Sequence, residues 1–175
     1  MVNATGKKIL TFVEDLYEDL ELWYPKLRLE EEGMIVTIAG PQIDRIYHGK
    51  NGYPCRADMS IIDINCKEYS GLVIPGGFAP DKLRRLPEVL NLTRHFMESN
   101  KLIAHICHGG WIPISAGIVS GFRCTSTPAI KDDLINAGAT WIDESVVVDR
   151  NMISSRRPAD LPYFCKEIIA FLKNQ

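Results

Sequence analysis

Four short stretches of the chain are apolar almost without interruption: KKILTFVE (7–14), MIVTIAG (34–40), GLVIP (71–75) and LIAHI (102–106). None alternates polar with apolar residues, so each predicts a strand buried on both faces, as in a parallel sheet covered by helices. Segments with a different period separate them. In EDLELWYPKLRLEEEG (18–33), Leu20, Trp23, Leu27 and Leu29 fall near helical spacing, with acidic residues crowding the start and Gly33 just past the end. Pro25 interrupts this pattern and predicts a bend there. PEVLNLTRHFMESN (87–100) predicts a helix opened by Pro87, and GGWIPISAG a shorter one stopped at Gly117 or Gly121. PAIKDDLINAG (128–138) predicts an amphipathic helix, and PADLPYFCKEIIAFLKN (158–174) a closing one that buries Leu161, Phe164, Ile168, Ile169 and Leu172.

Two regions break the alternation of strand and helix. DRIYHGKNGYPCRAD (44–58) has two extended runs around Gly49-Lys50-Asn51-Gly52, the signature of a hairpin. TWIDESVVVDRNMISS (140–155) predicts two or three short strands. No repeat, low-complexity tract or linker divides the chain, so residues 1–175 are expected to form one α/β domain. In sheets of this kind, function gathers beyond the carboxyl ends of the strands. The loops holding Glu18, Gly76-Gly77 and Cys107 therefore matter most.

Composition recommends neither a nucleic-acid nor a membrane function. Lys and Arg number 20 against 22 Asp and Glu, and the net charge of −2 gives no footprint for nucleic acid or an anionic membrane. No apolar run approaches a membrane span, and the first residues lack a signal-peptide pattern. The five cysteines (Cys55, Cys66, Cys107, Cys124 and Cys165) are odd in number and widely spaced. They argue against a disulfide framework and for a reducing cytoplasm. No CxxC and no His/Cys pairing has zinc-site spacing, so no metal is expected.

Cys107 ends an apolar strand and is followed by His108, Gly109 and Gly110. A nucleophile elbow needs small residues around a strained strand-to-helix turn, and the two glycines meet the second half of that demand. His105 occupies the preceding position where such turns prefer a small residue. A helix N-terminus aimed at the sulfur favours the thiolate and predicts a lowered thiol pKa. The N–H groups of His108 and Gly77 are candidate oxyanion donors. Cysteines in apolar runs are usually packing residues. That reading is taken for Cys55, Cys66, Cys124 and Cys165, whereas for Cys107 position alone leaves the two readings balanced. His105 reads equally as a satisfied core histidine, His95 and His48 as surface or packing residues, and Glu18 as a plain first-turn acid.

The blocks KKILTFVEDLYEDLELWYPKLRLEEEG, LVIPGGFAPDKLR, IAHICHGGWIPISAG, STPAIKDDLINAGATWIDESVVVD and SSRRPADLP together resemble the ThiJ/PfpI superfamily, and more closely its PfpI-type branch of intracellular proteases and glyoxalases. The resemblance covers nearly the whole chain. It implies a flavodoxin-like sandwich, a mostly parallel sheet with helices on both faces, related to class I glutamine amidotransferases. By this resemblance Cys107 is the nucleophile, His108 its neighbouring histidine, and Glu18 the acid whose carboxyl sits against the thiol. Gly77 and His108 supply the oxyanion hole, and Gly76 and Thr127 line the substrate site. Asp81 stands where the protease branch often has a glutamate that completes a triad across a subunit interface. Its carboxylate is one methylene shorter, and it serves equally as a helix cap. Thr127 replaces a tyrosine and implies a roomier or more polar pocket.

The resemblance implies either conversion of methylglyoxal to lactate, with repair of glycated protein, or peptide hydrolysis. Both are cofactor-free. The imperfect triad tilts the expectation toward the small carbonyl. The rival is a redox sensor or stress chaperone built on an oxidisable Cys107. A glutaminase is weaker, because no histidine follows His108. A homodimer or larger homo-oligomer is expected.

Overall fold

The computed structural model describes residues 4–175. In chain order the elements are β1 (Lys8–Phe12), α1 (Asp19–Glu31), β2 (Ile35–Gly40), β3 (Ile46–His48), β4 (Pro54–Arg56), β5 (Met59–Ser60), β6 (Gly71–Ile74), α2 (Ala79–Leu83) and α3 (Pro87–Glu98). There follow β7 (Leu102–Ile106), α4 (Trp111–Ala116), β8 (Arg123–Cys124), α5 (Lys131–Asn136), β9 (Thr140–Trp141), β10 (Val146–Asp149), β11 (Met152–Ser155) and α6 (Leu161–Asn174). Seven strands form the main sheet in the order β10-β11-β7-β6-β1-β2-β5. Every pairing in it is parallel except β10 with β11.

The apolar runs divide by parity between the two faces, as the pleat requires. Leu10, Phe12, Leu72, Ile74 and Ile103 pack on one side with Val89 and Phe96 of α3 and Ile112 of α4. Ile9, Val73, Ala104, Ile106 and Ile153 pack on the other with Leu29 of α1 and Phe164, Ile168 and Leu172 of α6. The sheet is a flavodoxin-like, class I glutamine amidotransferase-like arrangement. The chain moves outward from β1 to β2 on one side and to β6, β7 and β11 on the other. The crevice at that reversal is where loops after β1, β6 and β7 meet.

The hairpin predicted over 44–58 is present as β3 and β4, paired antiparallel. Pro25 lies inside α1, where it removes the hydrogen bond its nitrogen would make to the Glu21 carbonyl. The predicted helix after Cys107 starts as a 3₁₀ turn, Cys107–Gly110, before becoming α4, which ends at Gly117 in the left-handed conformation. α2, β5 and β8 lie outside the sequence expectations. They are two to five residues long, too short to carry a period. No helix among the described residues is long and apolar enough to cross a membrane.

Candidate active site

Cys107 adopts φ +58°, a conformation L-residues rarely hold. Holding it there costs roughly 1–3 kcal/mol, and such strain persists only where the surroundings enforce it. Here they do so by close packing. A Cβ on Gly109 would lie 2.6 Å from the Ile74 carbonyl oxygen, so only glycine lets the turn settle onto β6. The elbow expected from the two glycines is thus present, and it lifts the sulfur out of the strand toward the crevice.

The loop after β6 is stitched to the loop after β1. Tyr17 and Gly77 form an isolated antiparallel bridge, and Phe78 N–H donates to the Leu16 carbonyl at 2.8 Å. Gly77 has φ +81°, and any side chain on it would overlap the Leu16 carbonyl. Gly76 makes two bonds to α1. Its carbonyl accepts from Glu18 N–H at 3.1 Å, and its own N–H donates to Glu21 Oε2 at 2.8 Å. A Cβ on Gly76 would meet Glu21 Oε2 at 2.5 Å, Cys107 Cβ at 2.8 Å and His108 N at 3.0 Å. A side chain at Gly76 would therefore collide at once with Glu21, Cys107 and the His108 amide.

The acid against the thiol is Glu21, not Glu18. Glu18 is the N-cap of α1, and its carboxylate turns back to accept from Glu21 N–H at 2.9 Å. Its other oxygen faces Lys50 Nζ at 3.6 Å. Glu21, one turn into the helix, is fully buried and interacts with Cys107 through its side chain. Burial, aided by the nearby charge of Glu18, pushes the Glu21 carboxyl up to about 8. Near neutral pH it holds its proton and has an O–H to offer. Oε1 of Glu21 is buried and has no hydrogen-bond partner.

The thiol departs from expectation in the opposite direction. Burial and the Glu21 charge push Cys107 up to about 12, against the pull of the His108 and Gly77 N–H groups. Desolvation of the thiolate outweighs the end of a four-residue turn. The two groups are one coupled pair. When Glu21 is protonated, its repulsion of a thiolate vanishes. The expected oxyanion donors, Gly77 and His108, both direct N–H groups at the sulfur.

His108 Nδ1 lies 3.4 Å from Cys107 Sγ. Burial and the Lys50 charge hold its pKa below the ordinary histidine value, so the ring is neutral near pH 7. Asp81 is separate from this cluster within the chain. It is the third residue of α2, not its cap, and pairs with Arg85 one turn on. Thr127 lies before the Pro128–Ile130 turn and lines a 220 Å³ cavity with Pro128, Asp143, Arg156 and Arg157. His105 is fully buried on β7, but neither ring nitrogen has a hydrogen-bond partner, contrary to a satisfied core histidine. Of the other cysteines, Cys55, Cys124 and Cys165 are buried and Cys66 only half-buried. Among the described residues, no three His, Cys, Asp or Glu side chains converge as a metal site.

The expectations missed Glu21 and the anchoring role of Asp19. Asp19 accepts from the N–H groups of Asn51 and Tyr53 and from the Asn51 side-chain amide, all at 3.0 Å. It thereby fastens the hairpin loop that carries Lys50. The signal that distinguishes Glu18 from Glu21 is the E-x-x-E spacing of a capping pair: the first residue is consumed by backbone, and the second is left for other use.

An elbow cysteine with a buried acid and two N–H donors, at the crevice of a flavodoxin-like sheet, defines a class of cysteine-centred α/β proteins. Residues 7–171 match the model of the DJ-1/PfpI family, and the chain belongs to that family. Deglycase PfpI of Pyrococcus furiosus is 43% identical over 166 residues, covering 95% of this chain and 99% of the relative. The putative cysteine protease YraA of Bacillus subtilis is 36% identical, covering 96% of this chain and 99% of the relative. Among solved structures, a two-domain protein of Anabaena variabilis with DJ-1/ThiJ/PfpI-like and ferritin-like domains superposes with TM-score 0.94 at 38% identity. That match covers 95% of this chain and 48% of the Anabaena chain. Drosophila melanogaster DJ-1beta superposes with TM-score 0.91 at 26% identity, covering 98% of this chain and 92% of the other.

Proposed function

We propose that this protein is a cysteine-dependent enzyme of small reactive carbonyls, converting methylglyoxal to lactate and acting on related glycation adducts. The observation that carries the reading is the Glu21 carboxyl, buried and protonated against Cys107, with Oε2 fixed by Gly76 N–H. The deglycase names of relatives at 42–44% identity support it.

The Cys107 S–H adds across the aldehyde C=O: sulfur bonds to the carbon and the thiol proton passes to the oxygen, whose developing charge is met by the Gly77 and His108 N–H groups. Glu21, with a pKa close to the working pH, takes in its ionised form the proton from the former aldehyde carbon to give an enediol and returns it to the neighbouring carbon, while a hydroxyl proton moves from the first oxygen to the second. That isomerisation turns a hemithioacetal into a thioester, and water releases lactate and the thiol. No leaving amine needs protonation, so an acid behind His108 is dispensable. Peptide hydrolysis is the other reading, supported by the name of the Bacillus relative. It needs His108 oriented by a carboxylate, and Asp81 is exposed on α2, so that carboxylate would have to come from another copy of the chain. The large exposed side chains of Leu16, Leu20 and Phe78 beside the site support association of copies there.

The test is lactate formation from methylglyoxal by wild type, Cys107→Ala and Glu21→Gln, with a fluorogenic peptide alongside. Lactate lost in both variants is the expected result. Peptide cleavage without lactate would overturn the carbonyl reading in favour of the protease. Silence in both, with selective peroxide oxidation of Cys107, would replace it with a redox role.

A further inference from the structure

We propose that Trp111 is the positioning residue that orients His108 toward Cys107, with Asp133 and Arg84 holding the indole in place. The inference rests on the reading of Cys107 as the nucleophile and concerns the His108 imidazole, whose Nδ1 lies beside its sulfur.

His108 belongs to the 3₁₀ turn after β7, and its side chain has two free torsions. One contact, Nδ1 to Sγ at 3.4 Å, does not fix a ring. Trp111 lies one turn on, and its ring centroid is 5.1 Å from that of His108, with the planes tilted by 53°. An aromatic wall at this distance blocks rotation of the imidazole away from the sulfur.

The wall is itself braced from two elements. The Trp111 indole N–H donates to Asp133 Oδ2 of α5 at 2.8 Å. The Arg84 guanidinium lies over the indole ring, 5.4 Å from its centroid, and its Nε donates to Ser115 Oγ of α4 at 2.8 Å. Rotating the indole would break a charge-assisted hydrogen bond and a cation–π contact together. The path Asp133–Trp111–His108–Cys107 lies wholly within one chain. The charged and titratable groups that His108 senses are the Cys107 thiol and Lys50, while Arg84 and Asp133 reach it only through the indole.

The test needs no substrate. The side-chain NMR titration of His108, indole fluorescence against pH, and the rate of Cys107 alkylation by iodoacetamide are measured in wild type, Trp111→Ala, Trp111→Phe and Asp133→Ala. A protonated imidazole quenches an adjacent indole, so the wild-type fluorescence titration coincides with His108 and disappears in Trp111→Phe, where Trp23 and Trp141 remain. Trp111→Ala moves the His108 titration toward the ordinary 6.5 and slows alkylation at pH 7 by at least about tenfold. Trp111→Phe restores most of the rate, because it keeps a wall. Asp133→Ala shifts both readouts in the same direction by less.

Unchanged His108 titration and unchanged alkylation in Trp111→Ala or Asp133→Ala, with native circular dichroism, would overturn the proposal. If Trp111→Ala does not fold, the Trp111→Phe and Asp133→Ala pair decides it. If these shifts occur but wild type makes no lactate, the positioning role stands and the carbonyl reading fails. Lactate formation with none of the shifts has the reverse meaning.

Discussion

His105 makes the stability of this protein depend on mild acid. The ring is fully buried between its sheet neighbours Ile74 and Ser154. A Cβ on Gly110 would come within 3.3 Å of Nδ1, so the turn after Cys107 closes directly over it. No charged group faces it, and burial alone lowers its pKa from 6.5 to about 4. In the unfolded chain the ring titrates at its ordinary value. Above pH 6.5 neither state binds the proton, and the neutral ring adds no pH dependence. As pH falls from 6.5 to about 4 the unfolded chain gains a proton that the fold refuses, and stability drops by roughly 1.4 kcal/mol per pH unit. The whole loss is about 3 kcal/mol, a sizeable share of a typical stability of roughly 5–15 kcal/mol. The assay is urea unfolding of wild type and His105→Leu from pH 7.5 to 4 at fixed protein concentration. The variant is expected to lose less stability than wild type over that range, the difference growing steadily below pH 6.5. Parallel curves for the two proteins, or a His105 resonance titrating near 6.5, would refute the reasoning.

Further outcomes follow from the same geometry. Glu21→Gln is expected to stabilise the fold as pH rises from 4.5 to about 8, where the native carboxyl resists losing its proton, while abolishing turnover; unfolding at several pH values checks the sign. Gly76→Ala forces a methyl onto Glu21 Oε2 and Cys107 Cβ, and should cut the Cys107 alkylation rate by at least about tenfold with little change in secondary structure. Asp19→Ala removes three hydrogen bonds from the loop carrying Lys50, and hydrogen exchange at Asn51 and Tyr53 should accelerate markedly. Gly109→Ala drives a methyl into the Ile74 carbonyl and should lower the melting temperature by several degrees, read by calorimetry.

The sheet was legible because burial on both faces writes itself as unbroken apolar runs. β1, β2, β6 and β7 all coincide with such runs. β11 was less distinct because its serines, Ser154 and Ser155, are buried polar residues whose hydroxyls donate to the backbone, a use that periodicity does not register. The elbow was legible from two glycines beside a strand end. Its electrostatics were not, since the direction of the thiol shift depends on how deeply the sulfur is desolvated. The choice between Glu18 and Glu21 was lost because both are first-turn acids. Only the tertiary partner, the Gly76 amide, tells which of them leaves the helix surface for the crevice.

The first turn of α1 gives three consecutive tasks to three carboxylates. Glu18 caps the helix, Asp19 fastens the hairpin loop and Glu21 reaches the thiol. Each depends on its angular position around the same helical turn. Insertion of a single residue between Glu18 and Glu21 would rotate Glu21 by about 100° relative to the cap and misdirect it. The segment lies at a loop-to-helix junction, where length variation is ordinarily harmless. Here its length should be as restrictive as its composition, and a library of one-residue insertions across 13–24 should show a sharp gap at 18–21 in both folding yield and Cys107 reactivity.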